Sequence, residues 1–244
     1  MSQPKNEQPI HSALELNNLS CTLLPGKFRN GQAVPALYNT VYHDWVQVWS
    51  EVLSKMGNPG ALNLDQFLSQ DIIIALHLKD QLAGVVTSNF FNLSSHATFD
   101  HPYLHSFPEA LIEDFKTEGK GILMTGEYFT VCTPFRKKNL GSFVAELLVG
   151  LLLKILLHVD AKATLSTTIL ETKSHEIGKA FGYKIVGEKK KYGLNCMLLV
   201  NTKKQYQEHS NPQVNLMVQR LWNQRIDLTG ITTQSAHEVF QKAS

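Results

Sequence analysis

One short segment, from Thr133 to Ile155, constrains the fold of this chain more than any other. It reads TPFRKKNLGSFVAELLVGLLLKI, so a run of cations is followed by an Asn-Leu-Gly-Ser turn and then by a nearly all-apolar stretch. A helix that begins at such a turn presents unpaired first-turn amides and the positive end of its dipole. The segment therefore predicts an anion-binding turn at the start of a buried helix.

The apolar part of this segment, from Phe143 to Val159, contains Glu146 and Lys154 and falls just short of a membrane span. We expect a buried helix of a soluble domain. The chain has 244 residues and a formal net charge of +2, which allows a large core and does not indicate a nucleic-acid partner. Widely spaced cysteines and an N-terminus without a signal-peptide pattern predict reduced thiols and a cytoplasmic protein.

The pattern of apolar residues predicts an α/β (α+β) fold, with a mixed central β-sheet flanked by helices. An amphipathic helix over residues 35–56 is followed by a β-hairpin over residues 72–90. Further elements are predicted over 107–116 (helix), 122–132 (strand), 163–170 (strand), 173–181 (helix), and 183–186 with 195–200 (strand pair). We divide the chain into a flexible lead-in (1–30), one domain (31–202) and a polar, partly helical extension (203–244).

The cationic turn resembles a motif of the GNAT superfamily of acyl-CoA N-acyltransferases. That family binds the pyrophosphate of coenzyme A (CoA) with a (Q/R)xxGx(G/A) loop, which follows a strand and opens a helix. Arg136-Lys-Lys-Asn139-Leu-Gly141 matches this loop except that Asn replaces the first glycine. The lead-in Val131-Cys-Thr-Pro134-Phe-Arg is similar to the family's V-x-P-x-[YF]-R pattern.

Other parts of the chain are similar to the same family. Lys179-Ala-Phe-Gly182-Tyr183 resembles the Gly-Phe step between a helix and the following strand, and the order of elements over residues 35–200 is similar. The long aromatic insertion over residues 89–120 is similar in arrangement to N-acyl amino acid synthases and acyl-homoserine lactone synthases, which use long acyl chains. A tunnel lined by Phe90, Phe91 and the helix over residues 148–157 would favour fatty acyl donors; a closed end would favour acetyl.

The resemblance implies a donor site for acetyl-CoA or a longer acyl-CoA, or for an acyl-carrier protein, without a metal. The residues implied are Val131, Arg136, Lys137, Lys138, Asn139, Leu140, Gly141 and Ser142. The pantetheine arm is expected to lie between the strands over 122–132 and 163–170, where they splay apart. A solvated cationic turn is the plain structural alternative for the same residues.

The implied reaction transfers the acyl group to the primary amine of a small molecule or protein, while a base removes the amine's proton. Glu127 lies where a family carboxylate often serves as this base. Strand alternation places Glu127 on the same face as Phe129 and Val131. A salt-bridged structural carboxylate is the alternative role for Glu127.

One departure from the family leaves a second function open. The tyrosine that usually serves as the acid falls on Gly178, and the sequence cannot place Tyr183 or Tyr192 at the sulfur. The alternative is a catalytically silent GNAT-like module that binds CoA or another ligand and acts in regulation or interaction. Cys132 is a weaker candidate for a nucleophile, because a buried strand cysteine is usually inert.

Overall fold

The structure, a computed structural model, describes residues 17–28, 31–136, 138–191 and 193–231. Nine strands of this described part form one sheet. They are β1 (Leu19–Leu24), β2 (Ile72–Leu78), β3 (Gln81–Ser88), β4 (Phe90–Asn92), β5 (Ile122–Val131), β6 (Ala163–Ile169), β7 (Lys184–Lys191), β8 (Leu194–Thr202) and β9 (Ile226–Asp227). Their order is β7-β8-β6-β5-β3-β2-β1-β9, and β4 pairs with β5. The sheet is mixed, since β5 and β6 run parallel while β3 and β8 run antiparallel to them.

Helices flank this sheet. They are α1 (Ala36–Lys55), α2 (Asp65–Leu68), α3 (His96–Phe99), α4 (Glu109–Glu118), α5 (Lys138–His158), α6 (Ser174–Lys179) and α7 (Pro212–Asn223). Local sequence explains several of their ends: α4 stops at Gly119, which adopts a left-handed φ of 59°, and the Asn211 side chain caps α7 by accepting from the Gln213 amide. The predicted mixed sheet with flanking helices is confirmed.

The helix α5 is long and apolar enough to cross a membrane, with a mean hydropathy of 2.2 over residues 140–158. Of this stretch 61% is buried inside the protein. One side packs on the sheet, where a Cβ at Gly84 would lie 2.8 Å from Leu148 Cδ1. The other side packs on α7, where a Cβ at Gly150 would lie 2.5 Å from Val218 Cγ2. Burial between these layers accounts for the apolar sequence, as expected for a core helix.

Two strands lie outside the predicted central domain of residues 31–202. β1 falls within residues 1–30 and pairs antiparallel with β2 along its whole length. β9 falls within the extension and pairs parallel with β1. The lead-in prediction is therefore wrong for residues 19–24, where Leu19, Cys21 and Leu23 alternate with Ser20 and Thr22 as in a strand.

Candidate functional site

The strands β5 and β6 part in the middle of the sheet. They pair from Leu123 opposite Ala163 to Gly126 opposite Ser166, and the pairing stops there. We call Ile122–Gly126 the lower half of β5 and Glu127–Val131 its upper half. In the described residues, the upper half pairs with β3 on one edge and with no strand on the other. The sheet therefore contains a split that begins at Gly126 and Ser166.

A β-bulge marks the boundary between the two halves of β5. Thr87 of β3 opposes Glu127, and Val85 opposes Thr130, so a two-residue step on β3 faces a three-residue step on β5. Tyr128 lies within the extra step and has a φ of 48°, in the left-handed region. A non-glycine residue in this region is strained by roughly 1–3 kcal/mol, which other contacts must offset.

The bulge changes the face on which Glu127 lies. Directly opposed residues of antiparallel strands share a face, so Glu127 shares a face with Thr130. Phe129 and Val131 therefore point to the other face, and the prediction that they share a face with Glu127 is wrong. Simple alternation failed because the extra residue shifts the side-chain pattern by one position.

Aromatic residues of α1 hold the bulge in place. The ring of Tyr128 packs edge-on against Trp45 and Trp49, with ring centroids 5.2 and 5.3 Å away. Trp49 Nε1 also donates a hydrogen bond of 2.9 Å to Thr130 Oγ1. Helix α1 therefore fixes the backbone of β5 at the point where β5 and β6 part.

A cavity of about 520 Å³ fills the split. The strand edges, α5, α1 and the region of α6 all contribute to its lining. Four of the predicted donor-site residues line it: Val131, Arg136, Gly141 and Ser142. The start of α5 and the free edge of β5 therefore open onto one space.

The contacts within the cationic turn differ in detail from expectation. Arg136 Nε donates a 2.7 Å hydrogen bond to the Val131 carbonyl, which ties the turn to the end of β5. A Cβ at Gly141 would lie 3.1 Å from Arg136 Cα, so this glycine gives room to the preceding turn. Leu140 packs against the main core. Lys137 and the side chains of Lys138 and Asn139 lie outside the described residues.

Glu127 is buried beside the split but does not line the cavity. Its carboxylate accepts hydrogen bonds from Thr125 Oγ1 at 2.8 Å and from Asn89 Nδ2 at 3.2 Å. The long aromatic insertion reaches the same region through Tyr103, whose hydroxyl donates to the Leu165 carbonyl at 3.2 Å. Burial is the main cause that raises the pKa of Tyr103 well above its ordinary value, and the Glu127 carboxylate adds to the rise. The sequence shows the aromatic insertion but carries no signal that Tyr103 contacts β6.

Gly178 occupies the position that corresponds to the usual tyrosine of the GNAT motif. The side chain of Tyr183 packs against this glycine. A Cβ at Gly178 would lie 3.4 Å from Tyr183 Cβ and 3.5 Å from its Cγ. Tyr183 lines the cavity, and burial raises the pKa of its hydroxyl, with Ser166 and Thr164 partly opposing the rise. The sequence offered one signal for this contact, the tight turn at Gly182 that folds Tyr183 back onto α6. Tyr192 lies outside the described residues.

Two other sequence hypotheses receive little support. Burial and, secondarily, the Asp44 carboxylate raise the pKa of Cys132 to about 12, so its thiol is protonated and not nucleophilic near neutral pH. Phe90 and Phe91 pack into the hydrophobic core clusters and do not line the cavity. These two rings therefore do not form the tunnel that would favour fatty acyl donors, although Leu152 of α5 does line the cavity.

Comparisons with known proteins identify the fold. No family model and no curated protein matches the sequence. The structure is similar to FeeM, an N-acyl amino acid synthase from uncultured soil microbes, at 13% identity and a TM-score of 0.52, over 77% of this chain and 92% of that one. It is also similar to BjaI, a CoA-dependent acyl-homoserine lactone synthase, at 9% identity and a TM-score of 0.55, over 91% and 99% of the two chains. The chain therefore has the GNAT fold, as its turn motif and element order predicted.

Proposed function

We propose that this protein is an acyltransferase that moves an acyl group from an acyl-CoA thioester to a primary amine of a small molecule. The observation that carries the proposal is the cavity in the split between β5 and β6, with the start of α5 at its rim. The first amides of a helix have no partner within the helix and favour an anion. The site thus offers an anion cradle and an unpaired strand edge in one continuous space.

A CoA molecule uses both features in this proposal. Its pyrophosphate is held by Arg136 and by the first-turn amides, from about Lys138 to Ser142, with Lys137 and Asn139 close in sequence. Its pantetheine arm has amide groups, and these pair with the upper half of β5 as an added strand would. Val131, whose carbonyl is held by Arg136, and Leu140 then frame the entrance. The acyl group arrives at Gly126, where the split begins.

The amine is proposed to approach from the face of the sheet opposite to the one on which Val131 lies. Glu127 lies on that face and accepts the amine's proton, directly or through a water molecule, as the nitrogen attacks the thioester carbonyl. The C–S bond then breaks, and CoA leaves as a thiolate that takes up a proton from water. Backbone amides of the bulged strand polarise the carbonyl. Thr125 and Asn89 hold the carboxylate in a fixed orientation, which is the usual role of the groups that support a catalytic side chain.

The similar structures support this proposal without fixing the substrates. The BjaI structure contains isopentyl-CoA, and FeeM is an N-acyl amino acid synthase. The reading as a silent ligand-binding module has one observation in its favour, the glycine at position 178. The free and buried cysteines support the expectation of a cytoplasmic protein.

The first test combines a binding panel with an activity panel. Thermal unfolding is measured with CoA, acetyl-CoA, a long-chain acyl-CoA and pantetheine, which lacks the pyrophosphate. A ligand at 100 times its Kd adds about 2.7 kcal/mol of apparent stability. We expect the CoA compounds to stabilise the protein and pantetheine to do so much less, and we expect free thiol to be released when amines are added.

The possible results separate the alternatives. Stabilisation by CoA without thiol release for any amine would favour the silent module. No stabilisation by any CoA compound would contradict the proposed donor and leave an acyl-carrier protein to be tested as the donor.

A further inference from the structure

The cavity in the split reaches both faces of the sheet. One face is covered by α5, which packs against Gly84, the residue opposite Val131. The other face is covered by α1, because Trp49 donates its hydrogen bond to Thr130, which shares the face of Glu127. Residues of both helices line the cavity. It therefore has one end on the α5 side, where the anion cradle lies, and another end on the side from which the amine is proposed to approach.

We call this second end the α1 end. Two residues of β6 belong to it, since Leu165 pairs with Thr125 on the face of Glu127 and side chains alternate along a strand. Val48 and Val52 lie four positions apart, so one face of α1 supplies the opposite wall. The cavity-lining residues of the α1 end are Val48, Trp49 and Val52 of α1, Thr130 of β5, and Thr167 and Ile169 of β6.

The α1 end lies beside the proposed base. The Tyr103 hydroxyl, which donates to the Leu165 carbonyl, has both groups near it. Besides burial, which is the main cause of its raised pKa, the Glu127 carboxylate raises this pKa and the Thr167 hydroxyl lowers it. An amine bound at the α1 end can therefore place its nitrogen near Glu127 while its body lies between α1 and β6.

The walls of the α1 end are apolar. Three of its six side chains are hydrocarbons, and a fourth is the indole of Trp49. The hydroxyl of Thr130 is already engaged, since it accepts from Trp49 Nε1 and donates to the Tyr128 carbonyl at 2.7 Å. Among the described residues that line the cavity, Arg136 alone is charged, and it belongs to the anion cradle. A second charged group on the acceptor would therefore be buried here without a partner, which is strongly unfavourable.

Trp49 gives the α1 end a fixed aromatic surface. Its indole N–H is held by Thr130 at 2.9 Å, and its ring packs edge-on against Tyr128, with the centroids 5.3 Å apart. These contacts orient the ring before a ligand binds, so a contact with it costs little further side-chain entropy. A hydrocarbon or aromatic group on the acceptor would gain both burial and a contact with this ring.

We propose that the acceptor is a primary amine whose body is an uncharged aromatic or hydrocarbon group, bound at the α1 end. This inference rests on the proposed acyltransferase function and adds the class of its acceptor. It disfavours α-amino acids, because their carboxylate would lie against apolar walls. It disfavours diamines and polyamines for the same reason, since their second ammonium group would have no carboxylate among the described residues of the cavity lining.

The test measures thiol release with the acyl-CoA that stabilises the protein most and with three acceptors: phenethylamine, free phenylalanine and putrescine. Phenylalanine differs from phenethylamine only by its carboxylate, and putrescine carries a second amine on a hydrocarbon chain. We expect kcat/KM for phenethylamine to be roughly 10-fold or more above that for either of the others, because each of these would bury an unpaired charge.

Two substitutions of Val52, a partly exposed residue, test the location. Val52→Lys adds a cation to the α1 end and should narrow or reverse the preference for phenethylamine over phenylalanine. Val52→Ala removes only apolar contact and should raise KM for phenethylamine roughly 3- to 10-fold, with kcat nearly unchanged. Gln47→Lys is the matched control, because it adds the same charge to an exposed position of α1 outside the cavity lining. It should keep the wild-type preference.

The outcomes separate this inference from the proposed function. Equal kcat/KM values for the three amines, or a preference for phenylalanine or putrescine, would overturn the inference and leave the acyltransferase function standing. An equal effect of Val52→Lys and Gln47→Lys on the preference would overturn it too. If acyl-CoA binds but no amine releases thiol, the acyltransferase function itself is contradicted, and the acceptor class falls with it.

Discussion

The two halves of β5 differ in how many of their edges are paired with another strand. The lower half pairs with β4 on one edge and with β6 on the other. Its side chains, such as Leu123 and Met124, are fully buried. The upper half pairs with β3 alone, and its other edge faces the cavity. The lower half therefore contributes mainly to stability, while the upper half keeps backbone groups available to a ligand.

The bulge at Tyr128 lies at the boundary between these two roles. It shifts the side-chain pattern, so that Glu127 remains on the face of the lower half's Thr125 while Val131 points to the cavity side. Trp45 and Trp49 offset the strain of the left-handed residue by packing on its ring. The backbone geometry at the split thus depends on an aromatic contact from a distant part of the chain.

The largest expected effect is a fall in kcat when Glu127, the first residue of the upper half, is replaced. Glu127→Gln keeps the size of the side chain but removes the proposed base, so we expect kcat to fall roughly 10²- to 10⁴-fold while the affinity for acyl-CoA is unchanged. Steady-state kinetics and calorimetry measure the two quantities separately. Glu118→Gln is the matched control, because Glu118 is an exposed carboxylate paired with Lys162, outside the cavity lining. Unchanged kcat in Glu127→Gln would remove this residue from the mechanism.

The contrast between the halves predicts a difference in stability. Leu123→Ala in the lower half removes a fully buried side chain and should lower the free energy of unfolding by about 2–5 kcal/mol. Val131→Ala in the upper half removes a partly exposed side chain and should lower it by about 1 kcal/mol or less. Urea denaturation measures both. Equal losses would mean that the upper half is as much a part of the core as the lower half.

The anion cradle above the upper half predicts a loss of donor affinity. Arg136→Ala should weaken CoA binding roughly 10- to 100-fold, because a hydrogen bond to a charged group contributes about 1.5–3 kcal/mol. The affinity for pantetheine should not change. Lys154→Ala is the control, since Lys154 is a cation further along α5 that bonds Gln219 of α7. Equal losses of affinity for CoA and pantetheine would contradict a contact with the pyrophosphate.

The smallest effect on kcat is expected at Cys132, the residue that follows the upper half. Cys132→Ala should leave kcat within about twofold, since the thiol stays protonated and cannot serve as a nucleophile. Its pKa is about 12 in the folded protein against an ordinary value of 9.0. The thiol therefore favours the folded state below pH 9, and this contribution is lost as the pH rises from 9 towards 12.

Two measurements check the prediction for Cys132. The folded protein should resist iodoacetamide at this residue at pH 8. The stability of the wild-type protein should also fall more steeply above pH 9 than that of Cys132→Ala. Rapid alkylation of the folded protein would show that the thiol is more acidic than its burial indicates.

Much of the fold followed from local sequence patterns, and the reasons for the exceptions are physical. The hairpin of β2 and β3 and the buried helix α5 have clear periodicity and turn residues, and both were predicted close to their observed bounds. β1 was missed because its alternating pattern spans only six residues of an otherwise polar segment. β9 was missed because two residues gain strand geometry only by pairing with β1.

The candidate site was predictable only where it depended on contiguous sequence. The cationic turn and Gly141 lie in one segment, so their spacing indicated an anion site. The orientation of Glu127 depends on a bulge that Trp45 and Trp49 stabilise from α1, and alternation alone could not reveal it. The contact between Gly178 and Tyr183 depends on how α6 folds back onto the following strand, which is a tertiary effect.

The central claim is that the upper half of β5, and not the lower half, binds the acyl donor through its free edge. Amide hydrogen exchange with and without saturating CoA tests it directly, because bound amides exchange more slowly. We predict new protection in peptides that cover residues 127–142, with unchanged exchange at Leu123 and Met124, which are already paired on both sides. Bound CoA without new protection in residues 127–142 would contradict the account.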